Sequence, residues 1–133
     1  MNIPFIENMG IEAKENGSLY LPFREGLLNH LGTIHASAQF TLAETQSGFY
    51  LELMFPQYGE GVVPLLRSSS VKYKHPAIKD IYSVARTSKE ALDKFESELQ
   101  KKGRAVITID VWVYDSTDML TMQGEFCWLI SRM

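Results

Sequence analysis

The sequence predicts an α+β chain in which a curved antiparallel β-sheet wraps around one long central α-helix, and three observations lead there. Residues 34–55 carry apolar side chains on nearly every helical face, so this helix needs cover all round. In "RAVITIDVWVYD", Ala105, Ile107, Ile109, Val111 and Val113 alternate with a more polar set, the two-residue period of a half-buried strand. The strand-like runs follow one another through short links, which favours antiparallel pairing. One sheet buries such a helix only by curling about it, or by pairing with another chain.

The elements follow in order. "PFIENMG" suits a short helical turn, with Pro4 early and Gly10 closing it. "GIEAKENGSLYLPF" reads as a hairpin whose tight turn is Asn16-Gly17. A loop covers residues 24–33, and the long helix then runs from about Ile34 toward Phe55, where Pro56 and "QYGEG" end it. "VVPLLRSSSVKYKHPA" is a strand with Pro64 near its start, placing Arg67 and Ser69 on one face with Leu65, Val71 and Tyr73. "IYSVAR" is another strand. Thr87 and Glu90 have capping-box spacing ahead of a second helix, whose apolar face is Leu92, Phe95 and Leu99. Lys101, Lys102 and Gly103 suit its C-terminal end. Two long strands, joined by the turn "DSTD", finish the chain with "MLTMQGEFCWLIS".

With 133 residues, the expectation is one domain over residues 1–133 that needs no metal or disulfide staple. Hydrophobic residues at 45% and charged residues at 22% match ordinary globular usage, which argues against wholesale disorder. Thirteen Lys and Arg against sixteen Asp and Glu give a net charge of −3, which argues against a general nucleic-acid binder. The single cysteine, Cys127, excludes an intrachain disulfide framework and a cysteine-based zinc site, and it reads as a small buried residue. His30 and His75 have no partner at metal spacing, so no metal is expected. No Gly-rich phosphate loop, nucleophile elbow or dinucleotide fingerprint is present. No secretory signal or membrane-spanning run is apparent, so a cytoplasmic protein without membrane association is expected.

Along the long helix, Ser37, Thr41 and Glu44 fall at i, i+4 and i+7, a narrow polar stripe between apolar ones. Free N–H groups at a helix start carry partial positive charge and can hold a developing oxyanion. A carboxylate two turns deeper, in apolar surroundings, is a stronger base than one in water. Acyl transfer needs both parts. Structural roles stay open beside this: Glu44 bonded to a hydroxyl, Ser37 and Thr41 as small packing residues, and His35 fixing the helix entry.

The residues also resemble a family. Asn29 and Gly32, then His35-Ala36-Ser37 and Leu42-Ala43-Glu44, are similar to the pattern of hotdog-fold acyl-CoA thioesterases of the phenylacetate-pathway type. "VKYKHPA" and "GRAVITIDVWVYD" resemble two of that family's strands, so the likeness spans about residues 29–132. It implies a hotdog fold, with two chains pairing to form each active site, as a homodimer or a dimer of dimers. It implies Glu44 as the base that activates water or as the nucleophile, and the backbone N–H of Ala36 or Ser37 as the group polarising the thioester carbonyl. Asn29 would orient water or the loop, with His35 beside it, and Lys72, Lys74 and His75 would hold the phosphates of coenzyme A. Coenzyme A enters only as part of the substrate, and no separate cofactor is implied. The departure lies in the family's His-Gly-Gly, where Ala36 and Ser37 replace both glycines and each adds a Cβ near the carbonyl site. Two other readings stand beside thioester hydrolysis: enoyl-thioester hydratase or dehydratase chemistry, and a non-catalytic module binding acyl-CoA, an acyl carrier or a lipid-like ligand.

Overall fold

The computed structural model describes residues 2–56 and 61–133. Helix α1 (Pro4–Met9) has proline in its first turn and ends on Gly10, whose φ of 81° is the left-handed cap anticipated there. Strands β1 (Glu12–Ala13) and β2 (Leu19–Leu21) pair antiparallel as a hairpin, with Gly17 at φ 87° in the turn. After a 3-10 turn at Glu25–Leu27 comes helix α2 (Ala36–Met54), then strands β3 (Val62–Tyr73) and β4 (Ile81–Arg86). Helix α3 (Lys89–Lys102) and strands β5 (Arg104–Asp115) and β6 (Leu120–Arg132) complete the order. Of the stop signal after α2, Gln57 to Glu60 lie outside the described residues.

These strands form one antiparallel sheet in the order β1-β2-β4-β5-β6-β3. The antiparallel pairing expected from short links is present throughout, and β3 and β4, consecutive in the chain, are not neighbours. Residues 74–80 carry the chain across from the β3 edge, so β4 falls between β2 and β5. That crossing segment holds Ala77, fully buried, whose carbonyl accepts the Ile34 N–H at 2.8 Å and pins the entry to α2.

The sheet curves about α2. On β5, Ala105, Ile107, Ile109, Val111 and Val113 are buried, while the intervening residues are exposed or half-buried, matching the alternation in the sequence. They form one core with Leu42 and Ala43 of α2 and Met122 and Phe126 of β6. Burying Leu42 alone contributes about 2 kcal/mol. Helix α3 packs on β5 through Phe95 and Leu99, and the Phe95 ring meets Phe55 beyond α2 at a centroid distance of 5.0 Å.

Two local readings are corrected. The N-cap of α3 is Ser88, whose hydroxyl accepts the Ala91 N–H at 3.0 Å. Thr87 instead donates to the carbonyl of Thr108 on β5, so neighbouring residues with similar cap propensity were separated by a tertiary contact. On β3, the register against β6 shifts between Leu66 and Ser68, so Arg67 is the extra residue of a bulge. Leu65 pairs with Leu129 on the outer face, whereas Ser69, Val71 and Tyr73 pair with Phe126, Gly124 and Met122 on the inner side. Simple alternation had put Leu65 and Ser69 on one face.

Candidate active site

The start of α2 is built by its preceding loop. The Asn29 carboxamide oxygen accepts the N–H groups of Leu31 and Thr33 at 2.9 and 3.1 Å, and its Nδ2 donates to Thr33 Oγ1 at 2.8 Å. Gly32 adopts φ 78° between them, so the loop closes on its own side chain. The His35 N–H then reaches the carbonyl of Leu27 at 2.8 Å. His35 is the N-cap of α2, its Nδ1 accepting the Ser37 N–H at 3.0 Å. That occupies the Ser37 amide and requires Nδ1 to be unprotonated. The Ala36 N–H keeps its hydrogen for another acceptor, at an exposed helix end carrying the positive pole of the dipole.

The polar stripe is only partly available. Thr41 is buried, and its hydroxyl donates to the Ser37 carbonyl at 2.8 Å, an i−4 bond within the helix. Thr45 repeats this on Thr41 at 2.6 Å. Glu44 differs. Its side chain is half-buried and has no hydrogen-bond partner among the described residues. Burial pushes its carboxyl above the usual glutamate value, because the charged form loses water without gaining a cation or donor.

Glu44 lies on the wall of a cavity of about 640 Å³. From α2 the wall continues through Thr45, Gly48, Phe49, Leu51 and Glu52 to Phe55; Val62, Pro64, Phe95, Trp128 and Ile130 face them, and Ile3, Phe5 and Ile6 border the same space. Such volume and apolar lining with few polar groups are typical of small-molecule sites. Ala36, Ser37 and Thr41 do not line it, so within one chain the helix start and the cavity sit on either side of Glu44 along the same helix.

Tyr73 joins the end of β3 to the helix start: its hydroxyl donates to the Ala36 carbonyl at 3.2 Å. Lys74 and His75 follow it and are exposed, and His75 Nδ1 lies 3.1 Å from the carbonyl of Leu120. Lys72 pairs with Gln123 and faces outward into a shallow polar depression with Ser70, Asp110 and Glu125, on the opposite side of the sheet from α2. Sequence reasoning missed Trp128, Gly48 and Ser47: the Trp128 indole N–H donates to Ser47 Oγ at 2.8 Å, and Ser47 in turn donates to the Glu44 carbonyl at 2.6 Å. No local period signals a contact 81 residues apart. Among the described residues no cluster of three His, Cys, Asp or Glu side chains forms a metal site, and no helix is long and apolar enough to cross a membrane.

A six-stranded antiparallel sheet curved around a long helix is the hotdog fold of thioesterase-like proteins. Within it, the chain belongs to the DUF4442 family, a domain of unknown function, whose model matches residues 4–130. It is similar to a Pseudomonas aeruginosa protein of unknown function described as a probable thioesterase, at 23% identity and a TM-score of 0.81 over 98% of this chain and 89% of that one. A Haemophilus influenzae thioesterase matches at 12% identity and a TM-score of 0.75, covering 96% and 82% of the two chains. A Bacillus halodurans protein whose crystal structure contains CoA matches at 18% identity and a TM-score of 0.75, covering 98% and 77%. At these identities the likeness is one of fold. No curated protein matches the sequence.

Proposed function

We propose that this protein hydrolyses acyl-CoA thioesters, with Glu44 as the general base. The observation that carries the reading is a half-buried carboxylate, unpaired among the described residues, on the wall of an apolar cavity, where burial favours its protonated form. The CoA held by the Bacillus halodurans neighbour and the thioesterase descriptions of the other two support the substrate class.

In this mechanism, Glu44 takes a proton from water as the oxygen bonds to the thioester carbon. The carbonyl oxygen, now negative, accepts the Ala36 N–H. Collapse of the tetrahedral species breaks the C–S bond, and the proton on Glu44 passes to the departing sulfur. The products are the carboxylic acid and free coenzyme A. Ala36 precedes Glu44 by eight residues, about 12 Å along the axis, and its N–H points off the helix end away from Glu44, so in this reading the two groups meet on one thioester only where paired copies bring the Ala36 N–H of one chain to the Glu44 of the other. Asn29 acts by holding the loop before the helix, and His35 by capping it. Lys74 and His75, beside the helix start, are suited to the phosphates of coenzyme A.

The reading includes pairing of two copies. β3 is the sheet's edge, with Val63 and Leu65 exposed, and such an edge is a template for a second strand. Light scattering on the purified protein checks the dimer. A panel of acyl-CoA esters, followed by thiol release, tests the reaction; no release from any of them overturns it. The position of the helix start outside the cavity favours, as a second reading, a module that binds acyl-CoA without turnover. Calorimetric binding in the absence of thiol release would support that reading instead.

A further inference from the structure

The cavity is long as well as apolar. Its α2 wall runs from Glu44 to Phe55, eleven residues or about 16 Å of helix axis. A hydrocarbon with bonds of about 1.5 Å advances roughly 1.25 Å per carbon when extended, so about a dozen carbons match that length. A compact ring would occupy only part of it. Among the described residues, the carboxylates on this wall are Glu44 and Glu52, both on α2, whereas the facing side is Val62, Pro64, Trp128 and Ile130.

The position of Trp128 is set from two sides. Its indole N–H is tied to Ser47, which is tied in turn to the carbonyl of Glu44. Gly48, the next residue on the helix, gives the ring its space: a Cβ there would stand 3.2 Å from Cζ2 and 3.3 Å from Cη2 of Trp128. Gly48 has no positive φ, and glycine inside a helix weakens it, so backbone geometry gives no reason for the residue. The indole does.

We propose that this cavity is a slot for an extended hydrocarbon acyl chain of medium to long length, and that Trp128, set by Ser47 and Gly48, is the specificity-determining wall aligning that chain with Glu44. The inference rests on the hydrolase reading for its reaction but not for its binding step. Ser47 is a positioning residue, acting through the indole.

The sequence has two tryptophans, and Trp112 lies on the outer face of β5, with Arg86 over its ring at 5.2 Å. Trp112→Phe therefore leaves Trp128 as the sole indole reporter without touching the cavity. The probes are S-butyl-, S-octyl- and S-dodecyl-CoA, thioethers that lack the carbonyl a thioesterase attacks, with free CoA as the control. The expected result is a change in Trp128 emission with affinity tightening roughly threefold to fourfold per added methylene up to the slot's length, and no emission change with free CoA. In the same background, Gly48→Leu should flatten that dependence. Ser47→Ala should raise KM for a dodecanoyl ester severalfold more than for a butanoyl ester, with kcat little altered. An unchanged Trp128 signal with every thioether, in a protein that still hydrolyses acyl-CoA, overturns the slot and leaves the hydrolase standing. A length-dependent signal in a protein with no hydrolysis keeps the slot and overturns the hydrolase.

Discussion

Removing one buried amide should loosen the hairpin from the central helix. Gln46 is 2% exposed, and its Oε1 accepts the Leu19 N–H at 2.8 Å and the Ser83 hydroxyl at 2.7 Å. Its Nε2 donates to the Gly17 carbonyl at 3.0 Å, so one side chain of α2 holds the turn, β2 and β4 together. Gln46→Leu strands the Leu19 N–H and the Gly17 carbonyl, and a buried group without a partner costs about 1–3 kcal/mol. The hydroxyl of Ser83 loses less, because it can turn to the carbonyl of Leu19, already 3.5 Å away. Added apolar burial by leucine returns about 1 kcal/mol, leaving a net loss of about 3 kcal/mol. Ser83→Ala, which leaves the Leu19 bond intact, should lose only about 1 kcal/mol. Urea unfolding of both variants at one protein concentration measures the difference. A Gln46→Leu midpoint within error of wild type would refute the idea that this amide ties the hairpin to the helix.

Other expectations follow from the same geometry. Because burial raises the Glu44 pKa, the folded state favours its protonated form, so this group's contribution to stability is present at low pH and lost as pH rises through the folded value. Glu44→Gln should accordingly be more stable than wild type at neutral pH, with the gap closing under acid; thermal melts across pH check the sign. Asp115 shows the opposite case: bonds from the Thr117 hydroxyl and from the N–H groups of Met119 and Thr117 hold its carboxyl below the usual value. Asp115→Asn should lose stability at neutral pH relative to wild type, and the deficit should shrink as pH falls through the ordinary carboxylate range to the depressed folded value. Gly124→Ala would bring a Cβ to 2.7 Å from Val71 Cγ1 and 3.2 Å from the carbonyl of Ser70, straining the β3–β6 pair by about 1–3 kcal/mol, readable by denaturation.

What could be read in advance was whatever depends on neighbouring residues. The alternation in β5, the Asn16-Gly17 turn and the Gly10 and Gly103 caps are local, and each appears in the structure. Glu44 stood out because helical spacing puts it two turns from the helix start. The bulge at Arg67 was not visible, since it comes from fitting β3 to β6 rather than from the composition of β3. Nor was the cavity, whose lining is drawn from α1, α2, β3, α3 and β6, or the Ser47–Trp128 bond behind its wall.

The central claim is that the Glu44 carboxylate performs the chemistry at the edge of this cavity. Its most direct test is kcat/KM for thiol release from dodecanoyl-CoA, wild type against Glu44→Gln. Loss of a general base predicts a fall of about 100-fold or more with the fold intact. Equal rates in the two proteins would contradict the account.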